Sequence, residues 1–268
     1  MKRRSSGLKR IARESLDGQW GLAVAANLIA ILLLMAALAP FYSLQYLSGG
    51  GKVQTSAYNI ASSILYMVMM VLQCGVLRIH LSFARKEQVG LKMLFGEFTR
   101  EPQRYITLYL VALGIGMFCT MPGEICIYVG TISGAVLAYV IGGALYLAGI
   151  VVLLPYALRY SMAALLLVDD CQMEVLEAID KSRELMEGNR RRLFTLCLSF
   201  LGWNVLGILS GGIGMLWIVP YMEQTLVTFY RELIGELEPC DPQMEDFGRF
   251  FGFTEERPDF YEPDDGKE

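Results

Sequence analysis

The residues able to do chemistry in this chain are few, and their spacing argues against most catalytic arrangements. There is one histidine, His80, two residues after Arg78. A Ser-His-Asp triad needs an imidazole flanked by a hydroxyl and a carboxylate, and a multi-histidine zinc site needs several imidazoles. A lone His80 beside a basic residue reads instead as an interfacial, solvated side chain. The patterns H-E-x-x-H and G-x-S-x-G do not occur. Six cysteines, at 74, 119, 126, 171, 197 and 240, form no C-x-x-C pair, and four lie in or beside apolar runs, where a thiol packs as a small hydrophobe. Cys119 and Cys126 flank an expected outer turn, so a cross-link between them is the alternative to packing. Ser48-Gly49-Gly50-Gly51-Lys52 has only a superficial likeness to a phosphate loop. Tyr46 stands where G-x-x-x-x-G-K-[ST] needs its first Gly, and Val53 follows the Lys. These readings predict no catalytic residue, no metal site and no cofactor.

What remains is a handful of polar residues inside apolar stretches: Asn27, Gln73, Asn204 and Glu223, with Glu124 and Arg159 near the ends. Such residues are costly in hydrocarbon and are candidate sites for that reason. Glu223 follows Pro220-Tyr221 and is joined by Gln224, Thr225 and Thr228. It is expected either to hold a cation or proton, to pair with Arg159 or Arg183, or simply to reach water at the inner interface. Asp169 and Asp170 fall at an apolar boundary, so intramembrane aspartyl chemistry has no carboxylates to use.

The elements that position these residues follow from composition. Of 268 residues, 54% are hydrophobic and 19% charged, against about 25% charged in soluble domains, and the mean hydropathy is +0.42. That excludes an ordinary soluble enzyme, a disulfide scaffold and a disordered chain. The fold class expected is all-α: a polytopic membrane bundle of about six transmembrane helices with two interfacial amphipathic helices. A spanning helix needs about 20 apolar residues. The candidates lie at about 21–41, 58–77, 105–121, within 131–158, 193–209 and 213–230. The last two are read as a hairpin because Ser210-Gly211-Gly212-Ile213-Gly214 breaks the pattern. The first run is too long for a signal-peptide core, and Pro40 follows its A-x-A-like site, so it is expected to be retained as a span.

Between Ile125 and Leu158 no residue is charged, and a bend at Pro155 is expected. Gly130, Gly134, Ala138 and Gly142 recur every fourth residue, a small-residue ridge suited to close helix packing. Two segments are amphipathic: the first should lie along the inner leaflet, and the second either there or against the cytoplasmic ends of the spans. Residues 8–17 place Leu8, Ile11, Ala12 and Leu16 opposite Lys9, Arg10 and Arg13, and residues 170–188 carry an apolar stripe of Val175, Leu176, Ile179 and Met186. The organisation read from this is a basic amphipathic helix in 1–19, a membrane domain in 20–235 and an acidic cytosolic tail in 236–268.

Charge sets orientation and partners. Lys and Arg number six in each of 1–20, 78–104 and 159–192, but only one in 48–57. Basic loops stay inside, so both chain ends are expected on the cytoplasmic face of the membrane. Residues 1–231 carry 20 basic and 14 acidic side chains, whereas residues 232–268 carry 3 and 13. Arg183, Asn189, Arg190, Arg191 and Arg192 are the candidate contacts to anionic headgroups. The expected partners are membrane lipids and other membrane proteins, with no nucleic acid. A small secondary transporter or channel with a polar site near Glu223 and Arg159 is the alternative, because Pro and Gly breaks in several spans resemble discontinuous transport helices.

One internal echo stands out. Arg13-Glu14-Ser15-Leu16-Asp17-Gly18-Gln19 aligns with Arg183-Glu184-Leu185-Met186-Glu187-Gly188-Asn189 at a constant offset of 170. Either the unit is duplicated, or two helices turning sharply into a bilayer converged on the same chemistry.

The second copy, continued through Arg192-Leu193-Phe194, Leu198-Ser199-Phe200-Leu201-Gly202-Trp203, Gly212-Ile213-Gly214, Trp217, Pro220-Tyr221 and Phe229-Tyr230, resembles the bacterial integral-membrane family called domain of unknown function 975. Shorter matches at Leu8/Ala12/Leu16/Gly18/Trp20, Leu94-Phe95-Gly96-Glu97-Phe98 and Arg159-Tyr160-Ser161-Met162 extend the likeness over residues 8 to about 231. Leu154-Pro155-Tyr156 departs from the Pro-Gly expected there. The resemblance implies a multi-span membrane protein and no assigned activity.

Overall fold

A computed structural model describes residues 3–47 and 52–237. The Gly-rich turn at 48–51, the acidic tail from 238 onward and Cys240 lie outside the described residues. The described chain is helical throughout: α1 Ser5–Leu16, α2 Trp20–Leu47, α3 Lys52–Ala84, a 3-10 segment Leu91–Phe98, α4 Pro102–Ser133, α5 Val136–Tyr160, α6 Ala163–Asp169, α7 Val175–Leu185, α8 Arg190–Leu198, α9 Leu201–Leu209 and α10 Met215–Leu233. Five stretches are long and apolar enough to cross a membrane: Trp20–Pro40, Ser62–Ala84, Pro102–Ser133, Val136–Asp169 and Arg190–Leu209. The sixth expected span falls on α10. It lies inside the bundle against α1, α2, α3 and α9, and its buried face is polar at Gln224, Thr225 and Thr228.

The long α4–α5 hairpin departs from the expected boundaries. The chain does not turn at Pro122-Gly123. Helix α4 continues through Pro122 to Ser133, and Gly134 ends it with φ +67° and its N–H on the Gly130 carbonyl, the left-handed cap that glycine forms without a Cβ penalty. Cys119 and Cys126 therefore sit on one helix, about 10 Å apart along its axis at ~1.5 Å per residue, and both are unbridged. Pro155 likewise stays within α5, and the break comes later, at Ser161–Met162. The small-residue ridge is divided by the turn. A Cβ on Gly123 would lie 2.4 Å from Tyr146 N, one on Gly142 2.8 Å from Ile127 N, and one on Gly149 2.3 Å from the Cys119 carbonyl. The two backbones touch where those glycines leave room, with Gly123 and Gly130 on one helix and Gly142 and Gly149 on the other, each pair seven residues apart.

The final hairpin forms as expected. Gly211 and Gly212 take φ of +70° and +89°. Helix α10 then folds back so that a Cβ on Gly207 would lie 3.0 Å from Ile218 Cδ1.

Of the two amphipathic helices, α7 packs against α4, α5 and α6, one of its two expected settings, and α1 packs on protein as well. The apolar stripe of α1 is buried in protein rather than laid into headgroups: Leu8, Ala12 and Leu16 are at most 2% exposed, mainly against α10. On α7, Ala178 and Ser182 are buried and Leu176 is exposed. The echo at offset 170 extends to burial. Leu8, Ala12, Leu16, Ala23 and Ala26 correspond to Ala178, Ser182, Met186, Leu193 and Leu196, and all ten are buried. Gly18 and Gly188 have φ of +75° and +71°. Both units are an amphipathic helix, a left-handed glycine and a helix entering the bundle in the same register.

Candidate functional site

The polar residues of α2, α3 and α10 converge on Glu223. Residues 73 and 80 of α3 are seven apart and share a face, about two turns along. Gln73 Nε2 donates to Glu223 Oε1 at 2.5 Å, and Asn27 Nδ2, from α2, donates to Oε2 at 3.0 Å. His80 Nε2 lies 3.0 Å from the same Oε2, and His80 Nδ1 lies 2.8 Å from Gln224 Oε1. His80 and Gln224 are fully buried, Asn27 is 5% exposed and the Glu223 side chain 14%. His80 is thus a core residue and not the solvated interfacial one its sequence position suggests, because α10 covers the face of α3 that carries it. The imidazole thus lies between the Glu223 carboxylate on one ring nitrogen and the Gln224 side-chain amide on the other. The Nε2 of Gln224 is buried without a hydrogen-bond partner.

Arg159 is not part of this layer. Its backbone carbonyl accepts a hydrogen bond from Ser182 Oγ at 3.0 Å, and its buried Nε has no hydrogen-bond partner. The expected Glu223–Arg159 and Glu223–Arg183 pairs do not form, and Arg183 is exposed. Asn27, Gln73 and Glu223 were each visible in sequence as polar interruptions of apolar runs. Their meeting was not, since nothing local ties residue 27 to residue 223.

A second set of polar contacts closes the end of the bundle where α3, α6 and α10 terminate. Arg85 grips Asp169 through two bonds of 2.6 and 3.0 Å and also pairs with Glu236. Tyr230 donates to Asp169 at 2.8 Å, and Arg231 Nε to Glu236 at 2.8 Å. Burial works to raise the Glu236 carboxyl, but the hydrogen bonds from Arg85 and Arg231 outweigh it and hold it below its ordinary value of 4.5. Nearby, Glu97 of the 3-10 segment is fully buried and is held by Arg78 and Tyr105. The carbonyl of Leu94 presses on α3 at Gly75, where a Cβ would lie 2.2 Å from it. The run Leu94-Phe95-Gly96-Glu97-Phe98 was the only sequence signal of this tie.

The arginines expected at headgroups fall into two groups. Arg191 is exposed. Arg192 is committed to the protein: it donates to Glu232 at 2.6 Å, to the Arg3 carbonyl at 2.8 Å and to Asn189 at 3.3 Å, and stacks 5.3 Å above Phe229. Asn189 is buried, with Nδ2 on the Leu185 carbonyl at 2.8 Å. Arg190 is half-buried. Among the described residues no group of three or more His, Cys, Asp or Glu could hold a metal ion.

The family described as Protein of unknown function (DUF975) matches residues 1–236, nearly the whole chain, so the chain belongs to that family. Neither the curated proteins nor the solved structures contain a match.

Proposed function

We propose that this DUF975-family chain is a non-enzymatic integral membrane protein of a bacterial plasma membrane, both ends cytoplasmic, that works by associating with lipids and other membrane proteins. The observation that carries the reading is the α4–α5 hairpin. Only 11% of each of its most apolar stretches is buried. Its backbones are fastened to each other by glycine, which turns Phe118, Ile132, Val136 and Val151 outward at 70% exposure or more. An apolar surface of that extent is covered by acyl chains or by another protein's helices. At the charged end, Arg10, Arg13, Arg183 and Arg191 are exposed and suit anionic headgroups. The test is photo-crosslinking in cells. A benzophenone side chain at Phe118 or Val151 is expected to capture lipid or another membrane protein, and one at buried Val71 to give only internal products. The same capture at all three positions contradicts the reading.

A second reading, a small transporter or channel, is favoured by the buried Asn27–Gln73–His80–Glu223 layer, with Arg159 no longer part of its polar site. Uptake into proteoliposomes that Glu223→Gln abolishes supports it. No uptake by either protein removes it.

A further inference from the structure

The starts of α1 and α8 meet around a pocket of about 450 Å³. Arg3, Arg4 and Ser5 line one side, Arg191, Arg192 and Thr195 the other, and Leu8 contributes an apolar wall. Four arginines line this space. The carboxylate held beside them is that of Glu232, which accepts from Arg192 at 2.6 Å and from the Arg3 backbone N–H at 2.6 Å. The side chains of Arg4 and Arg191 form no ion pair or hydrogen bond among the described residues, so two guanidinium groups at the pocket are uncommitted there. The Glu232 bridge has a second effect: it fastens the first residues of the chain to α8, so the two walls are held in place before anything binds. Arg192 is further fixed over the Phe229 ring. A site whose donors are already ordered loses less freedom on binding.

We propose that this pocket binds a phosphate oxyanion, supplied by the headgroup of an anionic membrane lipid. Guanidinium groups offer planar paired N–H donors that match phosphate oxygens. The hydroxyl of Ser5 is at hand as a neutral donor, whereas that of Thr195 donates to the Arg191 carbonyl at 2.9 Å. Neither the first turn of α1 nor that of α8 contains an acidic residue, and neither has a side-chain cap, so no local carboxylate competes for those positions. The assignment rests on the lipid-associating reading above and gives it one address.

The experiment uses the full chain in neutral detergent, with native mass spectrometry and thermal unfolding as readouts. The added ligands are phosphatidylglycerol, phosphatidylcholine or inorganic phosphate. Phosphatidylglycerol is expected to bind and stabilise the protein more than phosphatidylcholine does. Arg4→Gln with Arg191→Gln, both exposed, should weaken that binding by about tenfold or more, as the loss of charge-assisted hydrogen bonds implies. Lys92→Gln with Arg100→Gln, both exposed, removes the same charge elsewhere and should leave binding within about twofold, since neither side chain lines the pocket. Equal weakening by both double variants overturns the pocket while leaving diffuse lipid association intact. Phosphatidylglycerol binding no better than phosphatidylcholine in the native protein overturns the pocket and the lipid reading together. Inorganic phosphate protecting as well as the lipid, with loss in Arg4→Gln/Arg191→Gln, keeps the phosphate site and overturns the lipid as its source.

Discussion

At the scale of single residues, two groups of contacts make separable predictions. Glu223 is the acceptor for Asn27 and Gln73 and the neighbour of His80. Glu223→Leu leaves the buried Asn27 amide and the half-buried Gln73 amide without their acceptor, and a stranded buried group costs about 1–3 kcal/mol. Glu223→Gln keeps one oxygen and is expected to cost less. Unfolding in detergent should rank the proteins native, Gln, Leu, and an unaltered Leu variant contradicts the geometry. Glu236 predicts a pH effect. Its carboxyl is held below the ordinary value by Arg85 and Arg231, so the folded state binds a proton there less readily than the unfolded chain does. The stability this gives is complete above the unfolded value and is lost as pH falls through the lowered folded one. Glu236→Gln should remove that part of the acid sensitivity, measured as the native-minus-variant difference in melting temperature across mildly acidic pH.

At the scale of elements, the α4–α5 hairpin shows how a helix pair holds together where lipid gives no hydrophobic drive. Close backbone approach supplies dispersion contacts in its place. Gly149→Leu puts a side chain where the Cys119 carbonyl lies 2.3 Å from any Cβ. It should therefore spread the helices, at a cost of about 1–3 kcal/mol or more. Gly143→Ala, with nothing within 4 Å of the added carbon, should be neutral or slightly stabilising because alanine is the better helix former. Melting of the two variants checks this; equal effects contradict glycine-mediated packing. The paired units α1–α2 and α7–α8 carry a related lesson. Their shared glycine cap and burial register show that an amphipathic stripe specifies an apolar neighbour without saying whether it is lipid or protein.

At the scale of the whole molecule, the charged contacts gather at one end, where α3, α6 and α10 finish and α1, α2, α4 and α8 begin, and the hairpin turns at Gly134 and Ser210–Gly214 point the other way. In a cysteine-free background, Ser133→Cys should label with an impermeant maleimide from outside intact cells. Glu14→Cys should label only after the membrane is opened. Labelling of both from one side contradicts the orientation proposed for the chain.

The sequence alone determined that the chain is an all-helical membrane bundle, because apolar run lengths and glycine breaks are local properties. It also marked Asn27, Gln73 and Glu223 as out of place in hydrocarbon. It misplaced the α4 turn, since a proline inside an apolar helix is tolerated and the stop depended on Gly134 being able to cap where α5 could pack back. Only the tertiary structure decided which residues meet. His80 is buried because α10 lies over it, Arg159 stands away from Glu223, and Arg192 is tied to Glu232. Those outcomes depend on which helix faces are brought together across 40 to 200 residues of chain, and side-chain periodicity along one helix carries no information about its partner.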